Sequence, residues 1–204
     1  MTFAEEKERI EQCGTGIDER IKAVIFNEEE HSYWYNGKEL HGVTGAISKI
    51  LGKKFPDTDT VMLATMYGHD VHKGVEMWIK EGREPSTEGG KWVVSELKKF
   101  AQENDVVKYQ AELLVSDFES TASCIDIVAI HKNGTASLFD IKTCSAFQRE
   151  SFSLQLSVYK KLYEAVYGGN VTGLFVLGTK SQRAFRIIEQ PLSKVDKILG
   201  MNKA

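Results

Sequence analysis

The sequence predicts an α/β domain: a central mixed β-sheet flanked by α-helices, with an N-terminal β-hairpin and helices ahead of it. Three observations lead there. Strand-like runs follow one another at about 108–116, 122–131 and 135–142. Helical periodicity lies on both sides of them, at about 61–79 and 87–104 before and 151–167 after. Two more strand-like runs, 171–179 and 184–189, come next, and a strand–strand–strand–helix–strand order suggests a mixed sheet. At 204 residues, 42% hydrophobic and 27% charged, the chain suits one domain with a good-sized core better than two small ones. Residues 1–22 are read as an N-terminal helix or arm and 23–204 as that single domain.

Taken in order, residues 2–22 are rich in Glu, Lys and Arg with sparse apolar positions such as Phe3, Ile10, Ile17 and Ile21. They predict a surface helix broken near Gly14-Thr15-Gly16, or an arm. Val24-Ile25-Phe26, then His31-Ser32-Tyr33-Trp34-Tyr35, then Asn36-Gly37 and Lys38-Glu39-Leu40 read as a hairpin closed by a type I′ turn. Val43-Thr44 opens an amphipathic helix through Ile47, Ile50 and Leu51, ended by Gly52. Asp57 or Thr58 is the expected cap of the next helix, which Gly82 and Pro85 close. The third carries Trp92, Val93, Leu97 and Phe100 at helical spacing. Lys132-Asn133-Gly134 joins the second and third strand runs as a hairpin. The helix after them buries Phe152, Leu156, Tyr159, Leu162 and Tyr163, and a last helix starts near Pro191 or Leu192.

Composition excludes several classes. No apolar run approaches the ~18–20 residues of a membrane helix, and the N-terminus lacks the apolar core of a signal peptide. Three cysteines at wide spacings (Cys13, Cys124, Cys144) fit neither a disulfide framework nor a zinc or iron–sulfur site. A cytoplasmic protein with no membrane partner is expected. A net charge of −3 argues against indiscriminate nucleic-acid binding over the whole surface. From Lys142 onward, however, ten Lys/Arg stand against four Asp/Glu, and sixteen against twenty-five precede them. A basic half permits a local phosphate-binding face.

Glu112, Asp126 and Asp140 fall in strand-like runs, fourteen positions apart. Asp126 is the hardest to explain structurally, because Ile125, Ile127 and Val128 around it read as core. Buried carboxylates are costly unless paired or metal-bound, and three acids converging from adjacent strands call for a hard divalent cation. Alternation places Asp140 and Lys142 on one face. The lysine there supplies a positive charge able to orient or deprotonate a water, or to stabilise a phosphorane-like transition state.

With Gly68…His72 before these residues and Gln155…Tyr159 after them, the chain resembles the PD-(D/E)XK nuclease superfamily over about residues 60–180, in particular its RecB-like, phage-exonuclease-like branch. Gly68-x-x-x-His72, the lone strand glutamate Glu112, the hairpin acid Asp126, Asp140-Ile141-Lys142 and Gln155-x-x-x-Tyr159 match the family's motifs in order. The lead-in through His31, Tyr33, Gly37 and Val43-Thr44 also looks like that of phage-type members. Ser123 stands where the family often has glycine, a position of backbone room rather than chemistry. The resemblance implies a restriction-endonuclease-like core and metal-dependent, exonuclease-like hydrolysis of DNA phosphodiesters in recombination, repair or phage DNA processing. In it His72, Asp126 and Asp140 hold the metal, helped by the Ile141 carbonyl, and Glu112 supports a second ion or the water. Lys142 positions or activates the attacking water, and Gln155 and Tyr159 steer substrate or brace the lysine. One or two Mg²⁺ or Mn²⁺ ions suit the oxygen-rich ligand set, one imidazole tilting it toward Mn²⁺. The four cysteines of iron–sulfur relatives are missing. The implied partners are linear duplex or single-stranded DNA and a recombination or helicase protein.

The alternative is a non-catalytic nucleic-acid-binding or scaffolding module on the same fold. Such a member usually loses the lysine or an acid, and here all are present. A restriction-like endonuclease would need a sequence-reading element, which these helices, short of basic residues, do not offer. Singly, His72 reads as a helix histidine, Asp140–Lys142 as a surface ion pair and Tyr159 as packing. His69 has a supporting or exposed place. Lys160-Lys161 with Arg183 and Arg186 is a solvated face or a phosphate track.

Overall fold

Asn36 and Gly37 both adopt left-handed backbone, φ 49° and 76°, and fold strand β2 (Ser32–Tyr35) onto β3 (Lys38–Gly42), as the Asn-Gly pair predicts. Strand β1 (Ile25–Asn27) pairs antiparallel with β2. The hairpin begins a mixed eight-stranded sheet in a computed structural model that describes residues 17–27, 30, 32–52 and 59–201. Residues 1–16, His31 and the expected cap at Asp57 or Thr58 lie outside those residues. Of the stretch expected as an arm, the described end packs on the rest. Asp18 N–H donates to the Val166 carbonyl at 2.7 Å and caps a short 3-10 turn, Glu19–Ala23, that buries Ile21.

Helices α1 (Val43–Ile50), α2 (Asp59–Glu81) and α3 (Glu88–Glu103) follow, then strands β4 (Val106–Ser116), β5 (Thr121–His131) and β6 (Ala136–Lys142). Helix α4 (Arg149–Tyr167) leads to β7 (Val171–Gly178), β8 (Arg183–Arg186) and α5 (Leu192–Met201). The Asn133-Gly134 hairpin departs from the two-residue form. Only Gly134 is left-handed (φ 81°), and His131 N–H donates to the Thr135 carbonyl at 2.9 Å, closing a three-residue loop. Asn133 Oδ1 instead accepts the Thr135 N–H at 3.0 Å and its hydroxyl at 2.8 Å.

The sheet runs β1-β2-β3-β5-β6-β7-β8, with β4 antiparallel along β5. Strands β3 and β6 share the other edge of β5. The Thr121 carbonyl accepts from Asp117 on the β4 side, whereas the Ser120 carbonyl accepts from His41 of β3. On β5, strand β3 pairs with Thr121 and Ala122 alone, and β6 with Ile127 to Ile130. Along that edge residues 123–126 therefore meet no strand among the described residues, and the sheet is open there. Helices α2 and α3 cover one face through Val71, Val75, Val93 and Leu97 on Ile127, Phe139 and Leu177. Helices α1, α4 and α5 cover the other on Val115, Val128, Leu138 and Val176. Among the described residues no helix is long and apolar enough to cross a membrane.

The turn that launches β5 toward the opening is tied by one carboxylate. Asp117 Oδ1 accepts the N–H groups of Glu119, Ser120 and Thr121 at 3.0, 2.8 and 2.8 Å, and Oδ2 accepts the Ser120 hydroxyl at 2.9 Å. Burial works to raise its pKa, but these donors outweigh it and hold it below the usual value. A depressed carboxyl pKa contributes stability above the unfolded value near 3.8 and loses it as pH falls through the folded one. Asp117→Ala should lower unfolding stability by about 1–3 kcal/mol at neutral pH. Denaturant melts of both proteins should show that gap narrowing below about pH 4.

Candidate metal centre

The centre lies where the sheet opens. Glu112 and Asp126 stand opposite each other on β4 and β5, between the pairs Ala111↔Ile127 and Leu113↔Ile125. Glu112 takes left-handed backbone, φ 51°, a conformation costing a non-glycine residue about 1–3 kcal/mol. Strand alternation reverses there. Tyr109 packs with the α2–α3 core but Leu113 with the α1–α4–α5 core; Ile127 packs with the former and Ile125 with the latter. Residues of one parity should share a face, so the local twist at this pair turns both carboxylates into the opening.

Asp126 fills the missing ladder position. Its Oδ2 accepts the Ile141 N–H at 2.6 Å, where regular β5–β6 pairing has stopped. The Lys142 carbonyl accepts from Thr179 on the β7 side, so by alternation the Ile141 carbonyl leaves on the β5 side, toward the opening. Helix α2 brings His72 over the same spot. Gly68, one turn earlier, lets the helix lie close on the end of β6, since a Cβ there would sit 3.0 Å from Thr143 Oγ1. His72 Nδ1 then stands 3.6 Å from Asp126 Oδ2. Ligand atoms of His72, Glu112 and Asp126 all lie within 4.8 Å of one another.

Asp140 stands outside that trio. It is 1% exposed and paired with Lys142, whose Nζ donates to Oδ1 at 2.9 Å and lies 2.8 Å from Oδ2, out of line for a hydrogen bond. Oδ2 thus keeps its lone pairs without a donor while fully buried. Burial raises the Asp140 pKa; Lys142 opposes that and Asp126 adds to it. For Lys142, burial disfavours the charge, but Asp140 and Asp126 together outweigh it and the pKa is raised. The lysine therefore stays cationic beside the Asp140 carboxyl, which holds its proton more tightly than usual. Glu112 is pushed up to about 8, by burial first and then by the charges of Asp126 and of Glu76 on α2.

Gln155 and Tyr159 are buried on α4 and make a chain with Ser123. Gln155 Nε2 donates to the Tyr159 hydroxyl at 2.9 Å, which lies 3.1 Å from Ser123 Oγ. They brace the strand-free edge of β5, and neither hydrogen-bonds Lys142, whose ammonium is held by Asp140. Ser123, read from sequence as a stand-in for glycine, is the polar anchor of that brace. Glu76 was not singled out; its place one turn after His72 on the same helix face was the available signal. His69 is exposed. Lys160 and Lys161 are held by Glu189 and Asp196, which leaves Arg183 and Arg186 as the part of the expected track with no ion-pair partner among the described residues. No family model and no curated protein matches the chain.

The Glu112 carboxyl sets a pH signature. A carboxyl pKa raised from 4.5 to about 8 contributes stability in full below 4.5 and loses it as pH rises through 8. With divalent metal chelated, the wild-type melting temperature should fall between pH 5 and 8.5. Glu112→Gln should fall markedly less over the same range in calorimetric scans.

Proposed function

We propose that this chain is a divalent-metal-dependent nuclease of the PD-(D/E)XK type that hydrolyses DNA phosphodiesters, with exonuclease-like character. The observation that carries the reading is the convergence of His72, Glu112 and Asp126 within 4.8 Å beside the buried Asp140–Lys142 pair. Donors sharing one hard cation lie about 3–5 Å apart at ligand distances of about 2.0–2.6 Å, so the trio fits such an ion. Asp140 Oδ2, which accepts no hydrogen bond although Lys142 Nζ lies 2.8 Å away, and the Ile141 carbonyl edge are further oxygens beside it. Two carboxylates and one imidazole suit Mg²⁺ or Mn²⁺.

When bound, the cation supplies Lewis-acid polarisation of a phosphoryl oxygen and a more acidic water. The chain's own residues prepare the rest. Asp126, fixed by the Ile141 N–H, holds its carboxylate in the opening without relying on side-chain packing. Glu112 holds its proton up to about pH 8 in the metal-free protein, so taking up a cation at this carboxylate would release that proton. Lys142 carries a fixed positive charge, restrained by Asp140, toward developing negative charge on the phosphoryl group. Low solvent access around the pair strengthens that attraction relative to water.

Purified protein should degrade linear DNA with Mg²⁺ or Mn²⁺ and not with chelator. Lys142→Ala should lose at least about 10²-fold in rate. Because that change strips buried Asp140 of its counter-charge, His72→Ala, at a partly exposed position, serves as the second variant with a melting curve for each. A folded His72→Ala or Lys142→Ala protein as active as wild type would place the chemistry elsewhere, and an inactive wild type would remove the enzyme reading.

A further inference from the structure

Many surface cations, Lys80, Lys91, Lys98 and Lys160 among them, sit in ion pairs with neighbouring carboxylates. Arg149, Lys180 and Arg183 have no such partner among the described residues, and they gather at one end of the sheet. Arg183 belongs to the same cross-sheet row as Lys142: Lys142 is opposite Gly178 on β7, and Gly178 is opposite Arg183 on β8. Opposed residues share a sheet face and strands lie about 4.8 Å apart, so the two backbones are about 10 Å apart with their side chains on one face.

The floor between them is aromatic. Gly178 offers no side chain, and the space over it is filled by the Ser181 hydroxyl and the edge of the Phe185 ring, 2.8 and 3.4 Å from where a Cβ would be. Phe147 lies against Phe185 with centroids 4.1 Å apart and meets Phe152 edge-on at 5.3 Å. Lys142 Nζ in turn stands 5.3 Å over the Phe152 ring. Phe147 is nevertheless 37% exposed, in a loop (143–148) without a single carboxylate. An open ring on an aromatic shelf, with unpaired cations at its rim, matches a nucleobase face flanked by phosphates. Bases inside a duplex are already stacked and cannot reach such a shelf.

Resting on the nuclease reading above, we infer that the site takes a single-stranded segment of nucleic acid. One unpaired base stacks on the exposed face of Phe147, which Phe185 backs, a neighbouring phosphate meets Arg183, and the adjoining phosphodiester lies toward Lys142. Stacking on a ring is indifferent to base identity, so the shelf selects strandedness rather than sequence.

Fluorescence anisotropy with metal chelated tests this using three labelled probes: a thymidine oligonucleotide, an abasic sugar-phosphate chain of equal length and a blunt DNA hairpin. The single strand should bind at least about tenfold tighter than the blunt hairpin. Phe147→Ala should weaken the single strand about tenfold and leave the abasic chain unchanged, while Phe147→Trp keeps the affinity. Arg183→Ala should weaken both single-stranded probes and flatten their salt dependence by about one phosphate contact. Equal binding of single strand and hairpin overturns the shelf, as does a folded Phe147→Ala protein that binds like wild type. Metal-dependent cleavage persisting in either case leaves the nuclease reading standing. A wild type that binds none of the probes and cleaves no DNA overturns both.

Discussion

Asp126 accepts the Ile141 N–H at 2.6 Å at the point where β5 and β6 stop pairing, and the geometry of the centre follows from that contact. A backbone N–H left facing a gap in a sheet would cost about as much as a lost hydrogen bond. The carboxylate satisfies it and so lets the two strands part without an orphaned donor. The same oxygen lies 3.6 Å from the His72 ring, so one atom ties helix α2 to the opened sheet. Ser123, Tyr159 and Gln155 brace the same edge from the other face. A gap in the ladder, which in an ordinary sheet would be a defect, becomes a lined cleft.

The opening also concentrates opposed charges that no ordinary core would tolerate. Glu112 is strained at φ 51°, half-buried, and faced by Asp126. Asp140 is enclosed with an oxygen lacking a donor, and Lys142 is the cation that answers it. The proposed cation would offset both the strained backbone and the crowding of carboxylates, since a ligand held only by the folded state adds to its stability. These features run against local stability and in favour of metal affinity, which is the balance expected where sequence serves chemistry rather than packing.

Much of the architecture was legible because its signals are local. Asn36-Gly37 dictates its turn through φ > 0 at both positions, Gly168 (φ 66°) ends α4, and hydrophobic period separates each helix from each strand. The centre was legible in its residue types and less so in its grouping. Sequence alternation put Asp140 and Lys142 on one face, where they pair; the family resemblance implied His72, Asp126 and Asp140 around the metal with Glu112 in support, whereas the tight trio contains Glu112 and Asp140 stands beside it. The left-handed Glu112 is the reason: nothing in a Gln-Ala-Glu-Leu-Leu run announces a reversed alternation, because the reversal depends on pairing across to Asp126. The three-residue loop at 132–134 escaped similarly, since Asn133 uses its side chain to cap Thr135 instead of turning left-handed. The Asp117 tie and the β3–β5 parallel contact join segments whose pairing only the folded chain brings about.

The central claim is that one cation is shared by His72, Glu112 and Asp126. A crystal soaked in Mn²⁺ and measured for anomalous scattering addresses it directly. A single strong peak is expected about 2.0–2.6 Å from a ligand atom of each of the three. Their absence from the coordination of any Mn²⁺, with Glu112 relaxed out of its left-handed backbone and pointing to solvent, would contradict it.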